Sequence, residues 1–180
     1  MKVYVFLATG FEEIEAIGTI DILRRGGVET VTASITGDKT VTGVHGIPVI
    51  ADELFEEIDL WDCIAYILPG GGPGSVMLNQ HEGVRQILAD AHENGSLIAA
   101  ICAAPRVLGS LGLLKGKRAT CYPGIEPELT GATILPDPVV TDQNIITGRG
   151  PGLVFDFGLA ILSYLNANAD EVASDLLIEN

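Results

Sequence analysis

Leu97-Ile98-Ala99-Ala100-Ile101-Cys102-Ala103-Ala104-Pro105 is the stretch on which the fold turns. Leu97–Ile101 is a continuous apolar run, as expected of a strand buried on both faces. Helical patterning over Ala103–Leu111 follows with almost no linker. A strand feeding directly into a helix is the repeating unit of a parallel α/β sheet. Cys102 stands at the junction, with small residues two before it (Ala100) and two after it (Ala104). This is the steric pattern of a nucleophile elbow, where a strained turn lifts a reactive side chain and leaves no room for bulk at its flanks. Pro105 suits a first helical turn, where its missing N–H costs nothing. A Cys at a helix N-terminus is expected to lean toward thiolate under the helix dipole. The competing reading is a small core hydrophobe, because free Cys is often buried.

The rest of the chain repeats the alternation. Strands are predicted at Lys2–Ala8, Val28–Ile35, Ile47–Ile50 and Cys63–Leu68, and at Arg118–Thr120, Thr133–Leu135, Val139–Thr141 and Asn144–Thr147. Gly37-Asp38 reads as a hairpin turn into a strand at Thr40–Thr42. Helices are predicted over Ile14–Arg25, with Ile14, Ile17, Ile20 and Leu23 near one face, and over His81–Asn94. A third, Gly152–Asn166, is apolar nearly all round and so expected to be buried, and residues 169–178 add a last turn or two. Pro69–Gly74 reads as a loop, and 51–62 as acidic and irregular. With no repeat, linker or low-complexity tract, 1–180 reads as a single domain.

Composition narrows the function classes. The chain has 180 residues, 47% of them hydrophobic and 19% charged, which excludes disorder. Its 10 Lys+Arg against 24 Asp+Glu give a net charge of −14. That field repels phosphate backbones and anionic bilayers, so neither nucleic acid nor membrane is an expected partner. No apolar run approaches the roughly 18 residues of a membrane span. Met1–Glu13 reads as a first strand rather than a signal peptide, and three Cys without a C-x-x-C argue against a disulfide scaffold. A reducing cytoplasm is therefore the expected location.

In open α/β sheets, sites form beyond the carboxyl ends of the strands. Three further segments lie at such ends. Glu12-Glu13-Ile14-Glu15 follows the first strand; Glu12 and Glu13 read as a solvated helix start, while Glu15 lies a turn further in. A buried Glu15 beside a sulfur would have a raised pKa and would donate to it. Pro69-Gly70-Gly71-Gly72-Pro73-Gly74 lacks the Lys-Ser/Thr of a P-loop, but its glycines let backbone N–H groups approach an oxyanion. Arg149, in Thr147-Gly148-Arg149-Gly150-Pro151-Gly152, reads as a loop tie or an anion ligand. Tyr122 and His45 are candidates to reach the same pocket; Cys63 reads as core. His45, His81 and His92 show no metal-ligand spacing, so no metal site is expected.

In this order, Glu12-Glu13-Ile14-Glu15, Leu68-Pro69-Gly70-Gly71, Ala99 to Pro105, Ala119-Thr120-Cys121-Tyr122-Pro123-Gly124 and Arg149-Gly150-Pro151-Gly152 resemble the ThiJ/PfpI superfamily. The nearer likeness is to its branch containing the parkinsonism-associated deglycase. The resemblance runs from Lys2 to about Leu177. It implies a flavodoxin-like fold, as in class I glutamine amidotransferase domains, with a mainly parallel sheet and helices on both faces, and usually a homodimer. It implies that Cys102 is the reactive elbow Cys, that Glu15 hydrogen-bonds it, and that Gly70, Gly71 and Ala103 supply backbone N–H groups. It further implies cofactor-free chemistry on small reactive aldehydes, of glyoxalase or deglycase type, in stress protection. The alternatives are a redox-responsive chaperone or sensor with Cys102 oxidised to sulfinate, and a peptidase. Peptidase-like members carry His directly after the Cys, where this chain has Ala103, and the deglycase's nearby His aligns with Tyr122. Glu15 is then the remaining proton-transfer partner.

Overall fold

A computed structural model describes residues 2–178; Met1 and residues 179–180, the ends of the predicted domain, lie outside the described residues. In chain order the elements are β1 (Lys2–Leu7), α1 (Glu13–Arg25), β2 (Glu29–Ser34), β3 (Thr40–Thr42), β4 (Pro48–Ile50), β5 (Glu53–Leu54), β6 (Cys63–Leu68), α2 (Gly72–Gln80) and α3 (Glu82–Asn94). Then come β7 (Leu97–Ile101), α4 (Pro105–Ser110), β8 (Arg118–Ala119), β9 (Thr133–Ile134), β10 (Val139–Asp142), β11 (Ile145–Gly148), α5 (Val154–Tyr164) and α6 (Ala169–Asp175).

The main sheet has seven strands in the order β10-β11-β7-β6-β1-β2-β5. All pairs are parallel except β10 with β11, the two strands joined by the tight Asp142–Asn144 connection. Period-two alternation divides the side chains between two cores. Val3, Val5, Ile67, Ala99 and Ile101 face α1 and α5, with Ala16, Leu23, Phe157 and Ile161. Tyr4, Phe6, Leu68, Ile98 and Ala100 face α2, α3 and α4, with Leu78, Leu88 and Leu108. Each fully buried Leu or Phe contributes about 1.5–3 kcal/mol, so the central strands anchor the molecule.

The parallel α/β sheet expected from the alternation, and the flavodoxin-like fold that the resemblance implied, are what is observed. Several local expectations are corrected. Residues from Gly72 onward are helical, because Pro73 is tolerated in the first turn and Val76–Gln80 carries the helix on. Gly37-Asp38 does not close a hairpin; β3 pairs with β4 in a separate ribbon, and Ser34 Oγ donates to Asp38 O at 2.6 Å to shape the turn. β8 and β9 form a second small ribbon outside the main sheet. The acidic 51–62 segment contributes β5 as an edge strand beside β2. On α1, Ala16, Thr19, Ile20 and Leu23 face inward, while Ile14 and Ile17 are exposed. Phe155 and Tyr164 on α5 are likewise partly exposed, because only one side of that helix packs on α1 and the sheet.

Candidate functional site

Three adjacent strands, β1, β6 and β7, end on the same edge and deliver three turns to one place. The register sets Leu68 opposite Ala100, so the glycine turn after β6 meets the turn after β7. Cys102 adopts φ 63°, the left-handed region that costs a non-glycine residue about 1–2 kcal/mol. Neighbouring backbone holds it there: Cys102 N donates to Gly148 O at 2.8 Å, and Tyr122 N donates to Cys102 O at 2.9 Å. The side chain is buried yet lines a cavity of about 340 Å³.

Glu15 is fully buried on α1. Its Oε2 accepts from Gly70 N at 2.8 Å, and its carboxyl hydrogen-bonds the Cys102 thiol. Oε1 has no nitrogen or oxygen partner. Burial pushes the Glu15 carboxyl up to about 7, against the hydrogen bond to Cys102, with Glu12 adding to the rise. Burial, and then the Glu15 charge, push the Cys102 thiol upward; N–H groups of Gly71 and Ala103 directed at the sulfur oppose this. The resting thiol is therefore protonated, which corrects the expectation of a dipole-favoured thiolate. Helix α4 begins three residues later, at Pro105, whereas Glu15 sits directly beside the sulfur. The Gly70 N–H is already engaged by Glu15, so Gly71 and Ala103 are the backbone donors that face the sulfur. Gly70 serves by lacking a side chain: a Cβ there would lie 2.4 Å from Glu15 Oε2 and 2.7 Å from Cys102 Cβ.

Tyr122 and His45 line the Cys102 cavity with Val44 and Ile125. Arg149 does not; it lines a separate cavity with Cys121, and its Nη1 donates to Pro136 O at 2.9 Å. Glu12 and Glu13 are buried, against the expectation of a solvated helix start. Glu12 caps α1 by accepting from Glu15 N at 2.8 Å, and its side chain reaches the cavity. The β3–β4 ribbon folds over Glu13, which accepts from His45 N at 2.7 Å and pairs with His45 Nδ1 at 2.8 Å. Burial would raise the Glu13 pKa, but the His45 and Ile47 hydrogen bonds outweigh it and hold the carboxyl below its usual value. Donor atoms of Glu12, Glu13 and His45 lie within 4.8 Å of one another, a spacing that could hold a cation, although hydrogen bonds already engage these atoms. The ribbon assembles this trio across more than thirty residues, so motif spacing did not reveal it. Sequence reasoning also passed over Arg106, which lines the Cys102 cavity. Its offset of four from Cys102, one helical turn, was the available signal.

Residues 1–164 match the model of the DJ-1/PfpI family. The chain belongs to that family. This DJ-1/PfpI protein is 39% identical over 183 residues to DJ-1 homolog A of Arabidopsis thaliana, covering 98% of this chain and 46% of that one. The chain thus spans about half the length of the Arabidopsis relatives it matches. It is 36% identical over 155 residues to a Pyrococcus abyssi protein named a deglycase, covering 84% of this chain and 92% of that one. The crystal structure of Drosophila melanogaster DJ-1beta superposes with a TM-score of 0.95 at 36% identity, covering 99% of this chain and 98% of the other. Among the described residues no helix is long and apolar enough to cross a membrane.

Proposed function

We propose that this DJ-1/PfpI protein is a cofactor-free enzyme acting on small 2-oxoaldehydes through Cys102. The observation that carries the reading is a buried Glu15 hydrogen-bonded to the Cys102 thiol and tuned to about 7, with the N–H groups of Gly71 and Ala103 beside the sulfur. A base near neutrality can both accept and return a proton. Ionised Glu15 takes the thiol proton as Sγ bonds to the aldehyde carbon, and the carbonyl oxygen, beside the two N–H groups, takes that proton from Glu15 to give a hemithioacetal and an ionised Glu15 again. Glu15 then removes the proton on that carbon and returns one to the adjacent carbon through an enediol, leaving a thioester. Water cleaves the thioester, freeing the thiol and a 2-hydroxy acid with no net change of electrons. The relatives named deglycases support the assignment, as does Ala103 standing where peptidase-like members place His.

The test is methylglyoxal turnover in deuterated buffer without added cofactor, followed by NMR. The expected product is lactate carrying deuterium at its second carbon, introduced through the Glu15 proton. Absence of lactate overturns the reading, and lactate without deuterium removes the enediol step.

A second reading rests on the donors around the sulfur. The same N–H groups and Glu15 would hold the oxygens of a sulfinate, formed when peroxide oxidises Cys102. A gain of two oxygens at Cys102, with no aldehyde turnover, favours a redox sensor or chaperone in stress protection. For assembly, we propose a homodimer that covers the exposed Ile14 and Ile17 of α1 with Ile47 and Ile50 of the β3–β4 ribbon. Sedimentation of Ile17→Glu as a monomer, against a dimeric parent, tests it. Three free cysteines fit a reducing, cytoplasmic setting.

A further inference from the structure

We propose that Arg106 is the anion-recognition group of the Cys102 cavity, so that the preferred aldehydes carry a negatively charged group. The aldehyde half rests on the reaction proposed above; the anion half stands on geometry alone.

Arg106 rises from the turn that carries Cys102, with its backbone N donating to Ala103 O at 3.3 Å. Its side chain is only 13% exposed. Nη2 donates to Glu128 Oε1 at 2.9 Å, while Nε is buried with no partner. A guanidinium has five N–H donors in a rigid fork, and a buried donor left unmade is costly. Nε itself is enclosed, so what Arg106 offers the cavity it lines is its charge and its outer guanidinium nitrogens. The remaining wall is largely apolar, with Val44, Ile125 and Tyr122, and Arg106 is its one permanent cation among the described residues. Glu12 shares the wall, but its Oε2 is held by Glu15 N at 2.8 Å and its Oε1 lies 3.9 Å from His45 Nδ1. Glu128 is half-exposed, so water screens its pairing with Arg106. An anion entering there meets a permanent guanidinium charge, which binds a carboxylate or phosphate through charge-assisted hydrogen bonds. A small molecule anchored at Arg106 presents its other end to the Cys102 turn.

The test uses two reagents of nearly equal size, anionic iodoacetate and neutral iodoacetamide, each alkylating the sulfur with loss of iodide. Rates are read at the Cys102 peptide by mass spectrometry. Their ratio cancels any common change in thiol ionisation or access. Arg106→Met should lower the iodoacetate-to-iodoacetamide ratio about tenfold, the scale of one charged hydrogen bond, and Arg106→Lys should recover part of it. Glu128→Gln, which removes the negative charge that offsets the guanidinium, should raise the ratio above that of the parent. An unchanged ratio in either Arg106→Met or Glu128→Gln overturns the proposal. The aldehyde half is read separately, as kcat/KM for a 2-oxoaldehyde with a terminal phosphate relative to methylglyoxal. A fall in that quotient in Arg106→Met supports it. If the alkylation ratio moves but no aldehyde is turned over, the anion site stands and the aldehyde reaction falls.

Discussion

Cys102 and Cys121 invite comparison, because both are buried free thiols that follow a strand. Burial raises both, Cys121 to about 11. Their surroundings differ in what can move a proton. Cys121 sits in a cavity with Ile134, Leu135 and Arg149, and Arg149 there ties loops through Pro136 O. Cys102 has a carboxyl in hydrogen-bond contact, two N–H groups aimed at the sulfur and a backbone strained to φ 63°. A thiol gains chemistry from a neighbour able to take its proton on demand, and burial alone only silences it.

Exchanging the two sulfurs for methyl hydrogens is the most severe way to break the comparison. Cys102→Ala should abolish 2-oxoaldehyde turnover, whereas Cys121→Ala should retain it, as read by lactate formation. Equal loss in both would end the distinction. Glu15→Gln keeps the shape and a donor but cannot accept a proton. Turnover should drop by about 10²–10⁴-fold while Cys102 can still be alkylated. Full turnover in that variant would transfer the proton step to Tyr122 or His45, both on the cavity wall.

Gly70→Ala sharpens the packing side of the contrast. The new methyl would sit 2.4 Å from Glu15 Oε2, so denaturant melts should show a loss of about 1–3 kcal/mol. Gly72→Ala, where nothing lies within 4 Å, should stay within about 0.5 kcal/mol of the parent. The remaining contrast lies in pH dependence. The folded Glu15 carboxyl holds its proton up to about 7 against an ordinary 4.5. Its contribution to stability is present below pH 4.5 and is lost as pH rises through 7. The parent should therefore lose up to about 3 kcal/mol relative to Glu15→Gln across that window, measured by unfolding at a series of pH values. Parent kcat/KM should rise over the same range, because the base must be ionised. A flat difference between the two proteins would remove the raised carboxyl.

Much of the architecture was legible because it rests on local pattern. Val3–Leu7, Cys63–Leu68 and Leu97–Ile101 are unbroken apolar runs, the pattern of a strand covered on both faces. Gly72–Gln80 escaped because one proline and two glycines mask a helix start, which the closely packed Gly74 against Gly10 stabilises from outside. Glu13 escaped because its burial depends on a ribbon arriving from residues 40–50, a contact that α1 alone does not encode. The exposure of Ile14 and Ile17 escaped for the converse reason: an amphipathic pattern gives a face, and packing chooses which part of it meets the sheet.

By itself the sequence determined the alternation of strands and helices, the small residues flanking Cys102 and the family to which the chain belongs. These depend on side-chain volume and period, properties carried by neighbours along the chain. Tertiary structure alone decided which way the protons sit. It placed Glu15 against Cys102 and engaged the Gly70 N–H, leaving Gly71 and Ala103 to face the sulfur. It also put Arg106 on the cavity wall and Arg149 elsewhere. Ionisation and hydrogen bonding depend on burial and on distances of a few ångströms between groups far apart in sequence, and those exist only once the sheet has brought its strand ends together.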